Sequence, residues 1–350
     1  MGRNYTIDFI KFFAIYFVVT IHTAPFKYED TVYEIINIFA RFAVPFFFMT
    51  SGYFLGKSVQ TKKDPSQYIG KSLLKNLKLY GSWVLFFFFY DLVLTILTAS
   101  MTGERIQAAI MEYFDLFFTI GLVYYGPEAN SFHLWFLIAL VWSSLIVYFF
   151  VRLNKLLLLV IVSFGLNMVG LLGQSYHPLV EFPFFTRDTL FFGLFYTALG
   201  CFFAGQKLIF KQKPERWAWL VVIFSIAQIA EGLAVIHLLD SKVDNYYLST
   251  VPLCISLFAL AMTSNKVSEN SLLARVGNRA VGIYVMHPLF ISASLLVISA
   301  LNMESIKQTV LWNIVFTPAI LVVSYLSYEF IQKHKGKLFD QWKVLGNRRG

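Results

Sequence analysis

Charge is scarce in this chain. Asp, Glu, Lys and Arg make up 14% of its 350 residues, against roughly 25% in a soluble domain, so an ordinary solvated globule is excluded. Cysteine is scarcer still. Cys201 and Cys254 are the only two, each within an apolar run, which excludes a disulfide framework and leaves packing as their expected role. The first apolar run carries Lys11 and lacks a small-residue cleavage site, so it is expected to remain as a span and not to be removed as a signal peptide. No repeat of fixed period is visible, which leaves the inverted-repeat plan of many transporters unsupported. Apolar residues are what the chain has in quantity: 57% of the total, including 38 Phe. Runs such as 83–89 and 156–162 are apolar on every side and must face lipid or other spans.

These runs predict an all-α fold, a polytopic transmembrane helix bundle of about ten spans at 6–24, 33–55, 78–99, 132–150, 155–173, 188–206, 217–239, 247–264, 279–300 and 308–331. The net charge of +9 would suit a nucleic-acid partner, but its distribution argues for membrane lipids instead. With the N-terminus inside, 22 of the 29 Lys and Arg fall in inner segments, five in outer ones, and Lys11 and Arg41 within spans. That bias follows the positive-inside rule and places both termini in the cytoplasm. The expected organisation is a transmembrane domain over 1–331 and a basic cytoplasmic tail over 332–350, with no soluble appendage. The longest inner connection runs from Gly56 to Asn76 and breaks at Lys62-Lys63-Asp64-Pro65. In the longest outer segment, residues 104–121 have apolar positions that suit a helix on the outer surface.

Ionisable residues inside spans carry the functional signal. Lys11 and His22 are eleven positions apart. At 100° per residue this returns to within about 20° of the starting direction and separates them by about 16 Å along one helix. A central Lys costs about 2.5–3.5 kcal/mol on insertion scales, so its presence points to function. Asp8, one turn earlier, pairs with Lys11 and lowers that cost. His22, expected at the outer end, can act as a general base near neutral pH. Arg41 is a second intramembrane cation, and Pro45 frees backbone carbonyls just before it. Ser51-Gly52 allows close backbone approach, and without a Gly-x-Ser-x-Gly elbow Ser51 is a packing or substrate-contacting residue and not a nucleophile. His133 with Trp135, at the start of the fourth expected span, and Tyr284 with His287, inside the ninth and followed by Pro288, are further candidate substrate contacts. No pair of these histidines has metal-ligand spacing, so no metal is expected. Lys71, Lys75 and Lys78 enter the third span at helical spacing, as topology determinants, lipid contacts or a phosphate clamp for a nucleotide-bearing donor.

Four motifs taken together carry a resemblance: Ile7-Asp-Phe-Ile-Lys11 with ten residues before His22, Phe46-Phe-Phe-Met-Thr-Ser-Gly-Tyr53, His133-Leu-Trp-Phe-Leu137, and Gly277-Asn-Arg followed by Gly282-Ile-Tyr-Val-Met-His-Pro288. On these, and almost end to end, the chain resembles the membrane acyltransferase-3 family of integral O-acyltransferases that modify bacterial cell-surface glycans. The resemblance implies a multi-pass protein of the bacterial plasma membrane that moves an acyl group, often acetyl, from cytoplasmic acyl-coenzyme A to an extracytoplasmic hydroxyl. His22 matches the family's essential histidine. Lys11 stands where the family usually has Arg, and Lys71 and Lys75 stand in a motif that is Arg-rich elsewhere; Lys keeps the charge and loses the planar fork. Coenzyme A phosphates would dock at Lys71, Lys75, Lys78 and Arg41. Larger relatives add an extracytoplasmic hydrolase-like domain, so this chain is expected to complete transfer itself, with a separate transferase, or as a homo-oligomer. Two rivals remain open. A non-enzymatic exporter or flippase of a glycan or lipid-linked sugar accounts equally for Arg41, Asp91 and Glu231, and an acyltransferase with a small-molecule or lipid acceptor shares the chemistry. The aromatic outer segments Tyr124-Tyr125 and 182–185 favour a sugar.

Overall fold

A computed structural model describes residues 4–128, 131–180, 182–206, 212–264 and 267–346, with side chains described to residue 334. Every element among the described residues is helical. In chain order they are α1 (Tyr5–Thr23), α2 (Asp30–Ala40), α3 (Ala43–Thr61), α4 (Pro65–Thr102), α5 (Ile106–Phe117), α6 (Gly121–Tyr124), α7 (Trp135–Arg152), α8 (Leu156–Leu172), α9 (Leu194–Phe203), α10 (Pro214–Leu239), α11 (Thr250–Thr263), α12 (Leu272–Gly277), α13 (Ala280–Ala300) and α14 (Val310–Gly346). Helix occupies all ten expected segments. Seven are long and apolar enough to cross a membrane, with α2 and α3 together forming one; those at Leu156–Leu172, Thr189–Phe203 and Thr250–Thr263 are shorter. The protein is a multi-pass membrane protein. Arg3, Glu181, Lys207, Lys211, Lys266, Arg348 and Arg349 lie outside the described residues.

Three segments differ from expectation. The second span is not continuous: the helix breaks at Arg41-Phe42, because Pro45 has no N–H and its ring displaces the carbonyl of residue 41. Carbonyls freed by the break are satisfied from α10, whose Gln228 Nε2 donates to Ile38 O at 2.7 Å and Phe39 O at 3.3 Å. The connection 56–76 is mostly helix, since α3 runs to Thr61 and α4 starts at Pro65, with Asp64 accepting from Gln67 N–H at 2.9 Å. The tail after 331 also continues α14 as far as Gly346. Residues 106–117 form the helix expected in the long outer segment, packed on α4, where Tyr113 OH donates to Phe88 O at 3.0 Å.

The chain forms two compact units, residues 1–33 with 267–350, and residues 34–266. In the first, α1 packs on α12, α13 and α14. Asn4 caps α1 by accepting from Thr6 and Ile7 N–H at 3.0 and 3.1 Å. Ala24, in the left-handed region at φ 46°, ends it before Pro25. Gly277 lies against α1 so closely that a Cβ there would collide with the Asp8 carbonyl. In the second unit the tightest crossing is α3 on α9. A Cβ at Gly52 would strike Thr197 backbone, and one at Gly200 would strike Met49 backbone. Small residues that let backbones meet are the usual glue where lipid supplies no hydrophobic drive.

Candidate functional site

In the first unit α1 holds Asp8, Lys11 and His22 on one unbroken helix. Lys11 Nζ lies 3.7 Å from Asp8 Oδ1, with 21% and 8% of the two side chains exposed, so the ammonium is reachable while its partner is buried. At the other end of α1 the half-buried His22 ring lies 4.9 Å, centre to centre, from the fully buried His287 ring on α13. His287 Nδ1 is 3.2 Å from Ile283 O. A carbonyl only accepts, so Nδ1 carries the proton, and in the neutral ring Nε2 is left as the acceptor. Tyr284 lies next to it, with ring centres 6.1 Å apart.

The His22–His287 contact is the feature that sequence reasoning missed, because His287 was expected nearer the middle of the bundle than His22. Helix register explains the meeting. Gly277 fixes the start of the α12–α13 segment at the level of Asp8. From there ten residues lead to His287 and fourteen lead from Asp8 to His22, about 15 and 21 Å of rise. Both elements run the same way, so the two rings arrive within about 6 Å of one level. Only the tertiary contact at Gly277 could have revealed this.

The second unit holds the remaining candidates, in four places. Ser51 lines a cavity of about 200 Å³ with Ser58, Tyr68, Ser72, Asn76 and Ser144, between α3, α4 and α7. Lys71, Lys75 and Lys78 are exposed and turned roughly 90–150° around α4 from the residues that face this cavity. His133 is buried in the turn before α7, 5.3 Å from the Phe87 ring. Arg41 was grouped with these lysines, but its partners are elsewhere. It occupies the α2–α3 break and donates to Asn37 Oδ1 at 2.5 Å and to Asn245 Oδ1 at 3.4 Å.

Arg187, which the sequence did not single out, donates to the same Asn245 oxygen at 3.2 Å. The two Nη1 atoms therefore lie within about 6.6 Å of each other. Arg187 rests over the buried Trp135 ring at 5.3 Å and the exposed Phe185 ring at 5.6 Å. Asn245 is held in place in turn, its amide donating to Gln174 Oε1 at 2.5 Å and Asp244 Oδ1 at 2.7 Å. Nearby, Tyr124 OH donates to Asp188 Oδ2 at 3.1 Å, and burial, reinforced by that carboxylate, pushes the phenol above its ordinary range. Glu231 has a structural task. Its carboxylate accepts from Tyr176 OH and from Leu248 and Ser249 N–H at 2.7–2.8 Å, pinning the segment that leads into α11. Among the described residues no group of three or more His, Cys, Asp or Glu is placed to hold a metal.

Comparison with known proteins places this arrangement. A family model described as an acyltransferase domain matches residues 4–329. Two proteins named amino-acid racemase from Enterococcus faecalis are 24% and 27% identical, over 73% and 81% of this chain but 35% and 40% of their own lengths. A serine/alanine racemase from Enterococcus gallinarum is 27% identical over 95% of this chain and 47% of its own length. The chain thus spans less than half the length of the curated relatives it matches. No solved structure matches it significantly. Since the family match runs through both units and takes in Lys11, His22, Ser51, His133 and His287, the chain belongs to the acyltransferase-3 family.

Proposed function

We propose that the chain is an integral O-acyltransferase of the bacterial plasma membrane, with ten spans, both termini cytoplasmic and residues 332–350 as a cytoplasmic extension. It would take an acyl group, with acetyl the simplest candidate, from cytoplasmic acyl-coenzyme A and give it to a hydroxyl of an extracytoplasmic sugar. The observation that carries this reading is the imidazole pair, His22 against the buried His287 at 4.9 Å.

In the proposed reaction an imidazole nitrogen of His22 takes the acceptor's hydroxyl proton as the oxygen attacks the thioester carbonyl. The C–O bond forms, the C–S bond breaks, and the imidazolium returns its proton to the leaving thiolate. Acyl transfer through His22 itself is the covalent variant of the same chemistry. Lys11, three turns from His22 and paired with Asp8, would steady the donor by charge alone, and Lys71, Lys75 and Lys78 remain candidate contacts for its phosphates. Ser51, His133, Trp135 and Tyr284 remain candidate substrate contacts.

The test uses purified protein in lipid nanodiscs, with free coenzyme A measured during acetyl-coenzyme A turnover in the presence of oligosaccharide acceptors. His22→Ala should abolish release and Lys11→Arg should keep much of it. Undiminished release from the His22 variant would remove the catalytic claim. The relatives' names support a second reading, in which this module handles a small amino acid, as acyl acceptor or as cargo moved without chemistry. Serine-dependent coenzyme A release would identify the acceptor case, and serine uptake into proteoliposomes without thioester loss the cargo case.

A further inference from the structure

The cavity between α3, α4 and α7 lies within the second unit, and the chemistry proposed for His22 does not require it. Ser51 and Ser58 on α3, Ser72 and Asn76 on α4, and Leu140 and Ser144 on α7 line it. Their spacings of four and seven residues turn one stripe of each helix toward it. What the stripes present is polar and neutral. Ser58 Oγ donates to Phe54 O at 2.8 Å and keeps its lone pairs as acceptors. The hydroxyls of Ser51, Tyr68, Ser72 and Ser144 and the Asn76 amide make no hydrogen bond among the described residues. Yet Ser144 is buried, and Ser51 and Asn76 are half-buried. Polar groups drawn out of bulk water cost free energy unless a partner meets them, so the set points to an occupant. No charged residue lines the cavity among those described, which suits a hydroxyl-bearing group and penalises a phosphate or zwitterion inside. Charge lies at the rim instead. One turn beyond Ser144 on α7 and one turn before Ile69 on α4, Tyr148 OH and Ser66 Oγ meet at 2.6 Å, and Arg152 Nη1 donates to that Ser66 oxygen at 3.3 Å. Lys62 Nζ lies 4.9 Å from the centre of the Tyr68 ring. Asp64, which caps α4, offsets one cation, and Lys62, Lys63 and Arg152 together keep the rim positive. The mouth opens on the lipid side: Phe54 and Tyr68, which line it, are 45% and 47% exposed, and Phe54 belongs to a helix of membrane-spanning length. At about 200 Å³ the cavity falls below the roughly 300–1,000 Å³ that holds a drug-sized ligand. We propose that it binds the headgroup of an anionic phospholipid with a polyol head, of the phosphatidylglycerol kind. The glycerol sits among the hydroxyls and Asn76, the phosphate at Lys62 and Arg152, and the acyl chains along Phe54.

Affinity is measured by titrating the delipidated full chain in detergent with phosphatidylglycerol, phosphatidic acid and phosphatidylcholine of identical acyl chains, bound lipid being counted by native mass spectrometry. Phosphatidylglycerol should bind about tenfold more tightly than phosphatidic acid, which keeps the charge and lacks the glycerol. Phosphatidylcholine should bind least. Asn76→Leu and Ser144→Ala should each shrink the preference for phosphatidylglycerol about threefold or more. Ser144→Ala, the smaller change, decides the matter if Asn76→Leu fails to fold. Arg152→Gln should weaken both anionic lipids alike and keep the preference between them. Equal affinity for phosphatidylglycerol and phosphatidic acid, or a preference that Ser144→Ala leaves in full, would overturn the proposal. Two competitors test the other occupants. Free sn-glycerol 1-phosphate binding as tightly as the lipid would assign the cavity to a soluble ligand. Displacement of the lipid by coenzyme A would assign it to the acyl donor, and either result would overturn the lipid site. His22→Ala should leave lipid affinity intact, so failure of this site and failure of the catalytic reading are told apart.

Discussion

Replacing His287 with Asn tests whether the imidazole pair works as a unit. Asn keeps a side-chain N–H that can reach Ile283 O, which His287 Nδ1 meets at 3.2 Å, and removes the ring that meets His22 at 4.9 Å. The Nδ1–H to Ile283 bond leaves Nε2 as the basic nitrogen, able to steady His22 most when His22 becomes an imidazolium. A hydrogen bond to a charged group contributes about 1.5–3 kcal/mol. At 1.36 kcal/mol per tenfold, kcat should fall about 10- to 160-fold, with KM for acyl-coenzyme A unchanged, because the interaction strengthens only as the proton moves. General-base catalysis as a whole supplies about 10²–10⁴-fold, so His22→Ala should cost more. The deciding measurement is the double variant. If His287 acts through His22, adding His287→Asn to His22→Ala should cost nothing further in coenzyme A release. Additive losses, or a KM rise with kcat preserved, would refute the positioning role.

Other changes probe the frame around the sites. Gly52→Ala puts a methyl into the Thr197 backbone, which neither helix can yield without moving, so the melting transition should drop by an amount equivalent to about 1–3 kcal/mol or more; an unchanged melt would mean that α3 and α9 do not meet there. Glu231→Gln replaces the carboxylate that accepts from Leu248 N–H and Ser249 N–H, and should lower stability by about 1–3 kcal/mol while coenzyme A release persists at low temperature. Loss of transport without loss of stability in that variant would instead favour an exporter.

Helix positions were legible because lipid-facing runs impose length and composition directly, and the edges of α1, α10 and α13 fall within three residues of expectation. The break at Arg41 was half legible: Pro45 marked freed carbonyls, but that Gln228 would satisfy them depends on α10 meeting α2. Arg187 carried no signal at all, being one cation in a loop, until folding brought Asn245 to it. The lysines on α4 show the reverse case. Their helical spacing was plain, yet spacing states only that they share a face and not which face the cavity takes.

The contact at Gly277 shows how the dispersed motifs become one surface. Among the described residues of the first unit, Gly277 and Gly282 are the points where a side chain would push helices apart, the former against the Asp8 carbonyl and the latter against the Tyr328 ring. Asp8 is at once the residue whose backbone receives Gly277 and the one whose carboxylate holds Lys11 at 3.7 Å. A Cβ at 277 would therefore shift the α12–α13 segment away from α1 at that level, and with it the His287 ring that meets His22 some 20 Å further along. Contact between the two imidazoles is thus set by that backbone approach, whereas the Asp8–Lys11 pair, one turn apart on α1, is held within its own helix. On this argument Gly277→Ala should separate the rings and lower kcat like His287→Asn, with KM for the donor unchanged. Unchanged kcat in a protein that still melts as the parent does would show that the Gly277 approach does not set the meeting of the rings.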